Sequence, residues 1–124
     1  MTEQKKTGPK RLVEKGWGHE EIWASNDRYC GKLLDFHEGG KCSMHFHLTK
    51  HETWRVLSGE YVVTWINPQD AARHQTTLLP GDVWINKPGQ PHQVTCTASG
   101  VILEVSTSDW VEDNYRIEPG DSQR

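Results

Sequence analysis

Turn signals recur along most of this chain and leave little room for a long helix. They fall at His37-Glu38-Gly39-Gly40, Ser58-Gly59, Asn67-Pro68-Gln69-Asp70, Pro80-Gly81, Lys87-Pro88-Gly89 and Ala98-Ser99-Gly100. Glycine admits backbone conformations other residues avoid, and proline removes a hydrogen-bond donor, so such clusters end regular structure. Between them gather the β-branched and aromatic residues that suit a pleated, half-buried strand. The segments so bounded are 29–36, 42–47, 53–57, 60–66, 74–78, 82–86, 90–97 and 100–107. Many short strands at this spacing predict an all-β sandwich or barrel, and no helical period interrupts them. Closure into a barrel would also remove the exposed sheet edges of such a chain.

The chain has 124 residues, the size of one domain with its own core. Residues 1–15 carry Lys5, Lys6, Lys10, Arg11 and Lys15 around Gly8 and Pro9 and are expected to form a flexible basic arm, with residues 16–124 as the single domain. Gly16-Trp17-Gly18 marks a turn holding a buried aromatic, followed by an extended segment over 21–24. The polar stretch 109–124, anchored by Trp110, Tyr115 and Ile117, is expected to pack across the barrel or against a neighbouring subunit.

Fourteen Lys and Arg against seventeen Asp and Glu give a formal charge of -3. That balance argues against broad nucleic-acid binding, which needs a basic face, but leaves room for a small anionic ligand. Cys30, Cys42 and Cys96 form neither a CxxC knuckle nor an even framework, so free, mostly buried thiols in a reducing cytoplasm are expected. The opening residues lack an apolar leader and no stretch is long enough to span a membrane, so no membrane partner is expected.

His45 and His47 stand two apart in an extended segment, which puts both imidazoles on one face. Glu52 begins the next strand after a short connection, and His92 follows a later Pro-Gly turn. Three imidazoles and a carboxylate suit one divalent transition ion: Zn, Mn, Fe, Ni or Co. Set against this, a His-x-His pair can equally be two half-buried residues satisfied by backbone carbonyls. Lys50 and His51 flank the acid and are the candidates for catalytic groups. Alternation from Glu52 turns Trp54 inward and Arg55 outward. Trp65, Trp84 and Tyr61 are candidates for either pocket or core, and Lys87 for the pocket mouth.

The run Gly39-x5-His45-x-His47-x4-Glu52-x6-Gly59 resembles the first motif of the cupin superfamily at each defining position, and Gly81, Gly89 and His92 resemble the second. Two positions depart from the second motif: Lys87 stands where proline is expected, and Cys96 where asparagine is expected. The resemblance implies a jelly-roll barrel, the double-stranded β-helix, with His45, His47, Glu52 and His92 holding a metal ion inside it. Trp17-Gly18, Ser43, Glu52-Thr53-Trp54, Val56, Ser58-Gly59, Glu104-Val105, Glu112-Asp113 and Arg116 further resemble the cupin domain of type II mannose-6-phosphate isomerases. His45 and Lys50 stand where that family commonly has glutamine and a basic residue, often arginine.

The resemblance implies a cytoplasmic homodimer acting on a small-molecule substrate, with a sugar or sugar phosphate isomerised at the metal. Lys50 would then meet the phosphate as a point charge. An iron-dependent dioxygenase and a non-catalytic carbohydrate-binding module use the same ligand set and stay open beside it.

Overall fold

The computed structural model describes residues 6–9 and 11–124, so the expectations for residues 1–5 and 10 lie outside the described residues. Eleven strands form: β1 (Arg11–Lys15), β2 (Gly18–Ser25), β3 (Tyr29–Phe36), β4 (Met44–Phe46), β5 (Glu52–Val56), β6 (Glu60–Ile66), β7 (Arg73–Leu78), β8 (Val83–Asn86), β9 (His92–Ala98), β10 (Gly100–Thr107) and β11 (Tyr115–Glu118). A short 3-10 turn, Asp121–Gln123, ends the chain. The strands pair antiparallel into a six-stranded sheet, β1-β2-β3-β10-β5-β8, and a five-stranded sheet, β11-β4-β9-β6-β7, the two layers of an all-β jelly-roll fold. Among the described residues no helix is long and apolar enough to cross a membrane.

The flexible arm expected over 1–15 does not extend to residue 15, because Arg11–Lys15 pairs along its length with β2. Alternation explains the strand: Leu12 and Glu14 face out, while Arg11, Val13 and Lys15 face a cavity inside the fold. At the other end, β11 pairs with β4 and completes the second sheet. The stretch after β10 therefore packs across the barrel of its own chain. Asp121 locks it there, its carboxylate accepting the Lys41 N–H at 2.8 Å.

Register divides the interior into an apolar layer and a charged one. Ile102 lies opposite both Leu34 and Val56. With Trp17, Phe36, Tyr61, Val63 and Val94 these residues make the core, and Trp17 stacks on Phe36 at 4.2 Å. Two residues along the same strands, the inward positions become Lys32, Glu104 and Trp54, again in register. The next inward step on β5 is Glu52, opposite Asn86 of β8. Period-two alternation thus runs the same inner faces from core into a polar cavity. Cys30 and Cys96 are buried and Cys42 half-buried, all three free; desolvation pushes the Cys42 thiol up to about 12, which keeps it an unreactive thiol.

Candidate metal centre

His45 of β4 lies directly opposite His92 of β9, so their rings are cross-strand neighbours with centroids 4.6 Å apart. His47 follows β4 by one residue and keeps the inward phase of His45, with ring centroids 5.1 Å apart. The turn leading to His92 is fastened to it: Gly89, at φ 78°, donates its N–H to the His47 carbonyl at 2.6 Å. A side chain at Gly89 would be strained in that left-handed conformation. One ring nitrogen from each of the three histidines falls within 4.8 Å of the others.

The far side of each ring fixes its tautomer. His45 Nδ1 donates to the Ser43 carbonyl at 2.8 Å, His47 Nδ1 to the Asp113 carbonyl at 2.6 Å, and His92 Nδ1 to the Gln90 carbonyl at 3.0 Å. A carbonyl only accepts, so each proton sits on Nδ1 and each Nε2 presents a lone pair inward. This is the arrangement in which protein groups orient imidazoles toward a metal. Burial, with the neighbouring His92, lowers His45 to about 3, and burial likewise lowers His47. His45 and His47 are thereby held neutral, as ligation requires.

The three histidines form the close cluster, and Glu52 borders it on the side of His92 and His47. Glu52 Oε1 lies 3.0 Å from His92 Nε2 and its Oε2 lies 4.0 Å from His47 Nε2. Yet His92 Nε2 is buried without an aligned hydrogen bond. A carboxylate and an imidazole lone pair facing each other at 3 Å repel unless a cation or proton lies between them. The N3O donor set therefore fits a divalent transition ion. Burial alone would raise the Glu52 carboxyl, but the Lys50 ammonium 3.1 Å away holds it below the ordinary carboxylate range.

Asn86 orients this carboxylate, and the sequence did not single it out. Its amide donates to Glu52 Oε1 at 3.0 Å, and its own carbonyl oxygen accepts the Trp84 indole N–H at 2.7 Å. The Trp84 bond fixes which way the amide points, so it aims an N–H at the ligand.

Beyond the ligands, the cavity of about 270 Å³ holds a dense charge network. Lys50 Nζ sits 3.1 Å from Glu52, 3.3 Å from Glu104 and 3.3 Å from Asp109. Lys32 Nζ sits 2.9 Å from Asp109 and 3.4 Å from Glu20. Burial opposes the Lys50 charge, but Glu104, Glu52 and Asp109 overcome it and raise its pKa above the usual lysine value. Burial and the nearby Glu52 push Glu104 up, although Trp54 Nε1 donates to its Oε1 at 3.0 Å. Lys50, expected on a connection and available to a phosphate, is thus buried against three carboxylates. Among the described residues, the interior network had no signal in the sequence beyond alternation on β3 and β10.

The other expectations sort by position. Trp54 is inward and Arg55 exposed, as alternation required. His51 is exposed and does not line the cavity, so it lacks access to the chemistry expected of it. Tyr61 is core, while Trp65, Trp84 and Lys87 line a separate depression with Asn67, Pro68 and Gln90. Lys87 therefore does not rim the metal cavity. Asp113, a landmark of the family resemblance to which the sequence gives no role, has the widest structural reach. Its carboxylate accepts the N–H groups of Leu48, Thr49 and Lys50 at 2.6, 3.1 and 2.9 Å, and so shapes the connection between His47 and Glu52.

Solved structures share this architecture at low identity. The capsular polysaccharide assembling protein CapF of Staphylococcus aureus aligns with a TM-score of 0.79 at 18% identity, covering 90% of this chain and 32% of CapF. Oxalate decarboxylase of Bacillus subtilis aligns at 0.74 and 14%, covering 86% of this chain and 30% of the enzyme. KdgF of Halomonas sp. aligns at 0.65 and 15%, covering 76% of this chain and 81% of that one. The chain thus spans about a third of the first two, and the likeness is one of fold. Comparison with curated protein sequences gives no match. The cupin domain profile matches residues 32–107, which contain all four members of the N3O set, and on that match the chain belongs to the cupin family.

Proposed function

We propose that this protein is a metal-dependent enzyme acting on a small, oxygen-rich substrate of the sugar or sugar-phosphate class, with isomerisation of an α-hydroxycarbonyl as its reaction. One observation carries the reading: His45, His47 and Glu52 line a cavity with His92 buried directly behind them, and the same cavity's wall holds the buried Lys50–Glu104 pair. His45, His47, His92 and Glu52 would hold one divalent ion, which when bound polarises a carbonyl and its neighbouring hydroxyl. Glu104, buried beside Lys50 and adjoining Glu52's strand, would take a proton from one carbon and return it to the adjacent one. Lys50 fixes the Glu104 carboxyl and supplies positive charge beside the oxygen where negative charge develops.

The test begins with metal analysis of protein purified without added metal. One equivalent of divalent ion per chain is expected, and His47→Ala should lose it; undiminished stoichiometry in that variant would sink the site. Anaerobic incubation of the holoenzyme with aldose and ketose phosphates in D2O should then place deuterium on the carbons flanking the carbonyl. Turnover that needs oxygen would move the reading to the oxidative class, and binding without turnover to a carbohydrate-binding module.

We extend the proposal to a homodimer formed through the outer face of the six-stranded sheet. Val83, Ile85 and Val105 are 47–55% exposed there, and Trp23 and Leu12 continue the apolar surface across β2 and β1. A stable dimer needs about 800 Å² from each partner. Sedimentation equilibrium should give twice 14.2 kDa, and Ile85→Lys should return the 14.2 kDa monomer.

A further inference from the structure

The metal floor explains how a substrate would be chelated but not what lies at the open end of the cavity. That end is built from the edge strands of the two sheets, β1 and β11. Arg116 of β11 lies directly opposite His45, and cross-strand partners share a face of their sheet. The neighbouring pair, Tyr115 and Phe46, stacks at 5.2 Å on the other face, which leaves Arg116 on the His45 side. From the opposite sheet, β1 sends Arg11 and Lys15 into the same cavity, as its alternation requires.

Charge accounting gives these residues a purpose. Inside, Lys32 and Lys50 face Glu20, Glu52, Glu104 and Asp109, an excess of two negative charges that a divalent ion on the floor would cancel. Lys15 is partly engaged, 4.0 Å from Glu20, whereas Arg11 and Arg116 have no carboxylate within 4.0 Å among the described residues. Guanidinium groups stay charged and present a planar fork suited to carboxylate or phosphate. In a chain of net charge -3, these cations converge over one cavity. Arg11, Lys15 and Arg116 all lie outside the matched segment 32–107, so this end is built by the chain's own flanks.

We infer that Arg11 and Arg116, assisted by Lys15, form an anion-binding rim that selects substrates bearing a carboxylate or phosphate away from their chelating end. The inference rests on the metal-enzyme reading and adds the substrate's second anchor, a role the buried Lys50 does not fill.

The test is calorimetric titration of Mn(II)-loaded protein with D-glucose 6-phosphate, D-glucuronate and D-glucose. An anionic sugar should bind about tenfold or more tightly than glucose, as expected for one or two charge-assisted contacts, and added salt should erode the difference. The double variant Arg11→Gln, Arg116→Gln should lose the preference while its metal affinity, read by competition with a fluorescent chelator, stays unchanged. Preference for the phosphate or for the carboxylate alone identifies the anion and supports the rim. Arginine-dependent anion binding by protein that takes up no Mn(II) in the chelator competition would support the rim and defeat the metal reading. Equal affinity for all three sugars, no binding of any, or a preference that survives the double substitution would overturn it.

Discussion

Replacing Lys50 by methionine isolates the cavity's electrostatics, because methionine keeps most of the apolar stem and removes only the charge. In the native protein the ammonium lies 3.1 to 3.3 Å from Glu52, Glu104 and Asp109. At an effective dielectric of about 20 each contact corresponds to about 5 kcal/mol of Coulomb attraction, most of it cancelled by desolvation. The net loss has a ceiling set by proton uptake. A stranded Glu104 or Glu52 can bind a proton, and from an unfolded value of 4.5 this costs about 3 kcal/mol at pH 7 and less than about 1 kcal/mol at pH 5. Asp109 is nearer solvent and adds little. Lys50 itself has a raised pKa, so its contribution is complete at every pH below its unfolded 10.5 and does not vary between pH 5 and 7. Urea unfolding of metal-free protein should therefore show Lys50→Met destabilised by about 3 kcal/mol at pH 7 and by less than about 1 kcal/mol at pH 5, at constant m-value. A loss that is equal at the two pH values, or below about 1 kcal/mol at pH 7, would refute the reasoning.

Asn86→Asp keeps an acceptor for the Trp84 indole but replaces the amide facing Glu52 by a carboxylate. Metal affinity, measured by chelator competition, should fall about tenfold to a hundredfold, the usual cost of losing a group that orients a ligand. Asp113→Ala strips the acceptor from three backbone N–H groups; a loss of about 2 kcal/mol or more is expected in thermal or urea unfolding, and a change below half of that would deny the clamp its role. The pH response of metal-free protein follows His45, which titrates at about 3 folded and 6.5 unfolded. Between those values the unfolded chain binds the extra proton, so stability is complete above pH 6.5 and declines on acidification, by about 2 kcal/mol at pH 5. Glu104→Gln is the background for this measurement, since the raised Glu104 carboxyl titrates in the opposite sense; urea midpoints that stay flat from pH 7 to pH 4 would contradict it.

Eight strands were legible because their hydrophobic runs and turn residues speak for themselves, with boundaries displaced by a residue or two. The strand that shortens most is β4, read as 42–47 and found as Met44–Phe46, where pairing with β9 reduces to His45 opposite His92. β1 and β11 were not named as strands because edge strands carry charge, and Arg11-Leu12-Val13-Glu14-Lys15 reads as a basic arm until its partner is known. Within the site, alternation alone paired His45 with His47, whereas Glu52 and His92 came from a family resemblance. Asn86 carries no sequence signal, and Glu104 and Asp113, though landmarks of the resemblance, carry no legible role, for a common reason. Their partners lie 34 to 66 residues away in sequence, and only sheet register brings them together. The finer resemblance to a mannose-6-phosphate isomerase domain still rests on sequence landmarks, since the structural likenesses establish the fold.

The proposed ion site and the proposed anion rim fall on different parts of the chain. The N3O set, Lys32, Lys50 and Glu104 all fall within the matched segment 32–107, on strands whose register is fixed by the core they share. The rim cations come from the flanks, on strands at the sheet edges where substitution disturbs one pairing rather than two. Such an arrangement lets the open end change its substrate preference while the floor keeps its ion. The two parts nevertheless meet at Asp113, whose carbonyl orients His47 and whose carboxylate holds the connection leading to Lys50. The C-terminal flank that carries Arg116 is therefore also what aims a metal ligand. Exchange of the rim side chains leaves these Asp113 contacts in place, whereas displacing the backbone of that flank would also release His47 from its carbonyl partner.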